Sequence, residues 1–157
     1  MMRRLRGFTL IEMMVVVAIV GVLAMAARPV LALSMRRTQE LELRRSLRAL
    51  REAIDAYKRA ADDKRIVVTA DATGYPPSLE VLVDGAPDAK DPKEHRVYFL
   101  RRLPRDPFAA ADVPAARTWG LRASDSTATA PRPGRDVFDV YSRSTGEGLD
   151  GTPLREW

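Results

Sequence analysis

Apolar and polar positions are distributed along this chain in three ways, and each predicts a different kind of structure. From Phe8 to Ala27, a run of twenty residues, every position except Glu12 is uncharged, and no helical face is polar. At about 1.5 Å rise per residue such a run reaches the thickness of a bilayer's hydrocarbon core, so it predicts a membrane-spanning helix. From Arg36 to Lys64 there is no glycine or proline, and Leu43, Leu47, Leu50, Ile54, Tyr57 and Ala61 recur in steps of four and three. That spacing places them on one stripe of an amphipathic helix. Charged residues fill its other faces, among them Glu40 with Arg44 and Glu52 with basic neighbours. A coiled-coil seam has the same signature, but this one is only about two and a half heptads long. Packing against a sheet of the same chain is the expected use.

From Val67 to Pro107 the periodicity fades and prolines accumulate. Tyr75-Pro76-Pro77-Ser78-Leu79-Glu80-Val81-Leu82 predicts an extended stretch capped by Ser78 into one or two helical turns. Strands are expected at Arg96–Leu100, Thr118–Arg122 and Asp136–Ser142, where aromatic and β-branched residues are bounded by turn formers. In the last, Val137, Asp139 and Tyr141 share one face and Phe138 and Val140 the other. Ala123 to Arg135, rich in Ser, Thr, Ala and Pro, predicts a mobile loop. The fold class is α+β: a long N-terminal helix, its second half packed on a small C-terminal antiparallel sheet.

Composition narrows the function. A chain of 157 residues has room for an anchor and one small domain. Its net charge of +5 falls by three, to +2, without Arg3, Arg4 and Arg6, and the other arginines are interleaved with acids. That argues against nucleic-acid binding. There is no cysteine, hence no disulfide or thiol chemistry, and the single histidine, His95, lies in a charged stretch expected to be a solvated loop. Asp62 and Asp63 are adjacent on a helix, point about 100° apart, and read as a solvated helix end. No catalytic or phosphate-cradling motif is present, so no catalytic residue is assigned and an enzyme is not expected.

The N-terminus carries the most specific signal. Arg6-Gly7-Phe8-Thr9-Leu10-Ile11-Glu12 follows two further arginines and opens the apolar run. An ionisable residue inside a membrane-length segment is costly and marks a functional site by default. A glycine before a scissile bond lets a protease approach the backbone closely. An ordinary secretory signal cleaved after Ala24-Met25-Ala26 and a plain uncleaved anchor are the alternatives; Glu12 is a poor choice for the apolar region of the first. The block resembles the class III signal of type IV prepilins and type II secretion pseudopilins. Tyr75-Pro76-x-Ser78-Leu79, Leu103-Pro104-x-Asp106-Pro107-Phe108, and Asp139-Val140-Tyr141-Ser142 before a glycine-rich turn and Trp157 resemble the major pseudopilins.

The resemblance implies a pilin-like fold and three parts: residues 1–7 a leader, 8–35 the transmembrane and polymerisation helix, and 36–157 a periplasmic head that includes the rest of the long helix. Pro29 would by itself kink, melt or end a helix; the family's helix-breaking proline implies a kink or melting inside one long helix. Gly7 and Phe8 would be the processing residues, cut apart by a prepilin peptidase, with Phe8 becoming the N-methylated terminus. Glu12 would be the assembly residue, offsetting the new amine of a neighbouring subunit. The implied protein is a homo-oligomeric helical pseudopilus subunit, single-pass in the bacterial inner membrane with its head in the periplasm. Its partners would be minor pseudopilins, an inner-membrane assembly platform and membrane lipid, and it would drive folded proteins across the outer membrane. A type IV pilin for adhesion or motility, or an anchored periplasmic binding module that never polymerises, are the rival readings. No cofactor or metal residue is assigned: the resemblance implies calcium after the Tyr-Ser strand, but Ser142–Thr152 offers only Glu147 and Asp150 where calcium takes six to eight oxygens, so calcium in that loop is left open.

Overall fold

The structure, a computed structural model, describes residues 8–91, 93 and 95–157, with backbone alone at 26–30. Helix α1 spans Leu10–Asp62. The helix is unbroken at Pro29, so of the outcomes expected there it does not melt. Proline removes one hydrogen bond, and the Val30-Leu31-Ala32-Leu33 run beyond it is compatible with continued helix. The chain divides into two units, Met1–Thr38 and Gln39–Trp157. In the first, every described side chain is exposed.

In the second unit the stripe is buried. Leu43, Leu50 and Ile54 have no exposed surface, and Leu47, Tyr57 and Ala61 are buried with them. Glu40, Ser46, Ala53 and Ala60 are buried beside them and widen the stripe to three or four positions per two turns, as a helix packed on a core requires. The helix ends without a glycine. Lys64 takes the left-handed conformation at φ 52°, while its N–H reaches the Ala61 carbonyl at 3.0 Å and the Arg65 N–H reaches Ala60 at 2.8 Å. These two bonds close a Schellman cap, which satisfies carbonyls the helix would otherwise leave open.

The sheet is smaller than expected and split in two. β1 (Ala86–Pro87) pairs antiparallel with β2 (Arg96–Val97), and β3 (Trp119–Arg122) with β4 (Asp139–Ser142). β2 stops at Val97 because the chain turns in, with the Phe99 and Leu100 N–H groups donating to the Leu82 carbonyl at 3.0 and 2.9 Å. Expecting a strand to Leu100 was therefore too long. Helix α2 covers only Val81–Asp84, and its N-cap is Glu80, with no side-chain capping bond. Ser78 is not the cap that its sequence position suggested. The proline pair instead holds the chain extended, and the Pro76 carbonyl accepts the Val137 N–H at 2.8 Å.

β4 begins three residues later than expected, and within it Asp139 and Tyr141 share one face and Val140 lies on the other, as expected. Val140 and Ser142 are buried on one side, and Val137, lying before the strand, is buried as well. Opposite Tyr141 stands Gly120, where an added Cβ would fall 2.3 Å from the Tyr141 ring. Only glycine leaves room for that ring across the pair. The segment from Ala123 to Arg135, expected as a mobile loop, closes on itself: the Ala123 N–H donates to the Arg132 carbonyl at 2.9 Å. It is tied down through Asp136, whose carboxylate accepts the Ser124 N–H at 2.8 Å and the hydroxyls of Ser124 and Thr73. Burial works against that carboxylate's charge, but these donors and the nearby Arg135 outweigh it and hold its pKa below the ordinary carboxylate value.

The Leu103–Phe108 motif is a fixed corner. Asp106, 1 % exposed, accepts the Phe108 N–H at 2.8 Å and the Ser142 hydroxyl, while its own N–H donates to the Thr118 hydroxyl at 3.1 Å. The Trp119 indole N–H donates to the Pro104 carbonyl at 2.9 Å. The buried Asp106 carboxylate thus ties the proline corner to β4, while the Trp119 indole ties it to the start of β3.

Candidate assembly and processing site

Helix α1 starts on a side-chain cap. The Thr9 hydroxyl accepts the Glu12 N–H at 3.2 Å, and the first helical bond runs from the Met13 N–H to the Thr9 carbonyl at 3.2 Å. Thr9 is the N-cap, and Glu12 is the third helical residue, the only acid in the first turn. A carboxylate there also meets the positive end of the helix dipole. Thr-x-x-Glu is the capping-box spacing. The signal was present in the sequence, and it gives Glu12 a local role besides the one expected in assembly. Gly7, with Arg3, Arg4 and Arg6, lies outside the described residues.

Beyond the cap, large apolar side chains surround the helix. Phe8 is 77 % exposed and Met25 likewise 77 %, and the described side chains between them are all exposed. Among the described residues no helix is long and apolar enough to cross a membrane. Glu12 is the one ionisable group between Phe8 and Met25, so the surface offers lipid or another apolar helix almost nothing polar.

The remaining candidates resolve simply. His95 is exposed and contacts Asp91 through its ring nitrogen. The Lys93 N–H, and after it His95, lower the pKa of the Asp91 carboxyl. Asp62 accepts from Lys58 one turn earlier, at the exposed helix end expected for the Asp62-Asp63 pair.

In the turn after β4 both oxygens of the Asp150 carboxylate already have donors. Asp150 already holds the Arg44 guanidinium at 2.9 Å with one oxygen and the Thr152 N–H at 2.9 Å with the other. Among the described residues no group of three or more His, Cys, Asp or Glu stands where it would hold a metal. The Thr152 N–H keeps the Asp150 carboxyl below the ordinary carboxylate range against some loss of solvation, helped by the Thr152 hydroxyl and the Arg44 charge. Glu40, expected on the outer face with Arg44, is buried, and it accepts the Leu149 N–H at 2.8 Å. Arg51 reaches the Asp139 carboxylate at 2.8 Å and the backbone oxygens of Val140 and Trp157 at 3.2 and 2.7 Å. These contacts join residues 88 to 109 positions apart, so no local pattern announced them.

Residues 2–27 match the prokaryotic N-terminal methylation motif. The type II secretion system core protein G of Klebsiella pneumoniae is 37% identical over 113 residues, covering 69% of this chain and 73% of that protein. The chain belongs to the core protein G family. The members from Vibrio cholerae (35% over 108 residues, 68% of each chain) and Aeromonas hydrophila (34% over 107 residues, 68% of this chain and 69% of that one) are similar over the same extent. No solved structure matches. The matched motif encloses Gly7, Phe8 and Glu12, and the helix cap and the exposed apolar surface both fall within it.

Proposed function

We propose that this chain is a structural, non-enzymatic subunit of the pseudopilus of a type II secretion system. The observation that carries the reading is the exposed apolar surface from Phe8 to Met25, broken by one carboxylate, in a member of the core protein G family. Soluble monomers rarely expose contiguous apolar patches beyond a few hundred Å². This surface calls for lipid before assembly and for neighbouring helices after it. The described run alone is short for a bilayer, but in the sequence Ala26 and Ala27 continue it to twenty residues. The arginines before Gly7 favour retention of that end in the cytoplasm, with the head in the periplasm.

Processing by a prepilin peptidase between Gly7 and Phe8 would leave a cationic amine at the edge of the apolar phase. Glu12 of an adjacent copy offsets that charge, so two groups that are costly alone become tolerable as a pair. Repeated head-to-tail, the contact builds an open helical fibre. Minor pseudopilins and an inner-membrane assembly platform are the partners such a fibre requires, and folded proteins bound for the outer membrane are its cargo.

The test is the mass of the mature N-terminus together with fibre recovery by shear from cells that carry the assembly machinery. The reading expects a chain beginning at methylated Phe8, and fibres from the parent. Glu12→Gln keeps the capping spacing and loses the charge, so it should be cut normally yet leave monomer in the membrane. A mature terminus after Ala26, or equal fibre yield from parent and Glu12→Gln, would overturn processing and charge pairing respectively.

A further inference from the structure

We propose that the C-terminal segment Gly146–Trp157 is fastened to the head by side chains of α1, with the Arg44 guanidinium serving as the cation where the family resemblance implies calcium. This goes beyond the pseudopilus reading, and its failure would leave that reading untouched. Three helix residues make the fastening. Glu40 takes the Leu149 N–H at 2.8 Å, Arg44 takes Asp150 at 2.9 Å, and Arg51 takes the Trp157 backbone oxygen at 2.7 Å. They are spaced by four and seven residues, which brings them onto one side of the helix.

Arg44 does more than pair. Its guanidinium carbon lies 4.1 Å from the centre of the Trp157 ring, a cation–π distance. One arginine therefore meets the segment at two points, the aspartate in its turn and the indole at its end. A planar guanidinium can bond a carboxylate in its plane and stack an aromatic ring on its face, which a lysine cannot do as well. The segment is shaped to suit. Gly148 donates to the Thr152 carbonyl at 2.8 Å, and an added Cβ there would come within 2.4 Å of the Trp157 ring. Gly151 has φ +79° and donates to Gly148 at 2.9 Å, a turn that needs no ion at its centre. Leu154 is fully buried beneath it.

Calcium would have to displace what is already satisfied. Both Asp150 oxygens have donors, and bound calcium would place a dication against Arg44. The consequence is a head whose C-terminal segment ignores chelators and responds to the arginine.

The experiment is hydrogen exchange on the full-length chain in detergent micelles, read on peptides covering 144–157. With millimolar calcium chloride or with a chelator the exchange should be the same. In Arg44→Gln the amides of Leu149 and Thr152 should exchange about tenfold faster, the loss expected for a charge-assisted bond. Peptides covering Leu50 and Ile54 show whether the head stays folded. If Arg44→Gln unfolds it, Asp150→Asn removes the same pair from the exposed side of the turn and should give the same local loss. The combined variant should then add little to either single change. Protection that rises with calcium overturns the proposal. So does unchanged exchange in the variants.

Discussion

The two ends of α1 are both rich in aliphatic residues, yet they arrange them in opposite ways. From Leu10 to Met25 the apolar side chains point in every direction, and all are exposed. From Gln39 to Asp62 most of them gather on one stripe whose apolar members are at most 8 % exposed, Leu41 lying outside it, with the arginines and most acids on the other faces. Hydrophobicity alone does not separate the two; angular distribution does. A stripe can be satisfied by one partner, here the strands and loops of the head. A surface apolar all round needs a partner on every side, which only lipid or several other helices supply. One helix can thus serve two purposes because its pattern changes along its length.

The sharpest way to break this comparison is to shorten a side chain in the stripe. Leu50 has no exposed surface, so Leu50→Ala in the full chain in detergent should destabilise the head by about 2–5 kcal/mol. Chemical denaturation followed by tryptophan fluorescence measures it. A midpoint equal to the parent's would mean that the stripe is not the core. A smaller loss, about 1–3 kcal/mol, is expected for Asp106→Ala, which strips the Ser142 hydroxyl and the Phe108 N–H of their acceptor. Adding Ser142→Ala should recover part of it, because the orphaned hydroxyl goes too. No recovery would locate the cost elsewhere in the corner.

These two sites also show what the sequence could and could not reveal. Leu50 was legible, since a helix has one period and the stripe from Leu43 to Ala61 followed it without interruption. The Asp106 corner was legible only as a motif; that its backbone N–H would reach Thr118 and its carboxylate Ser142 depends on contacts far apart along the chain. Strand ends were misjudged for the same reason. The chain at Phe99 leaves its strand to bond Leu82, and β4 starts at Asp139 because Val137 is already committed to Pro76. Ser78 looked like a cap, but the proline pair set the chain direction and the helix began at Val81. At the N-terminus the position of Glu12 stood out at once, while its place in a Thr9 cap, equally visible as Thr-x-x-Glu, was eclipsed by its cost in an apolar run.

A subtler effect tests the loop that Asp136 holds. Its pKa is lowered in the folded head, so its bonds add stability that is present above the unfolded value of about 3.9 and lost as pH falls through the folded one. Thermal midpoints measured from pH 6 down to pH 2 should therefore drop more steeply in the parent than in Asp136→Asn. Asp91 and Asp150 are lowered too, so only the difference between the two curves isolates Asp136. Parallel curves would show that the carboxylate contributes no pH dependence.

The smallest effect on the head is the one that completes the comparison. Val16 is 47 % exposed and belongs to the all-round surface. Val16→Ala removes methyl groups much as Leu50→Ala does, but no core closes over them. The midpoint of the head should stay within about 0.5 kcal/mol of the parent, as for an ordinary surface change. If this surface is covered by other copies in a fibre, the same substitution removes about 1.5 kcal/mol of burial per subunit, close to a tenfold weakening of each contact. Fibre recovered by shear should then fall while the membrane pool of monomer rises. A shifted midpoint would mean that Val16 packs on its own head, and the two halves of α1 would share one role. An unchanged midpoint with unchanged fibre would leave Val16 facing lipid in both states, and assembly would have to run along another side of the helix.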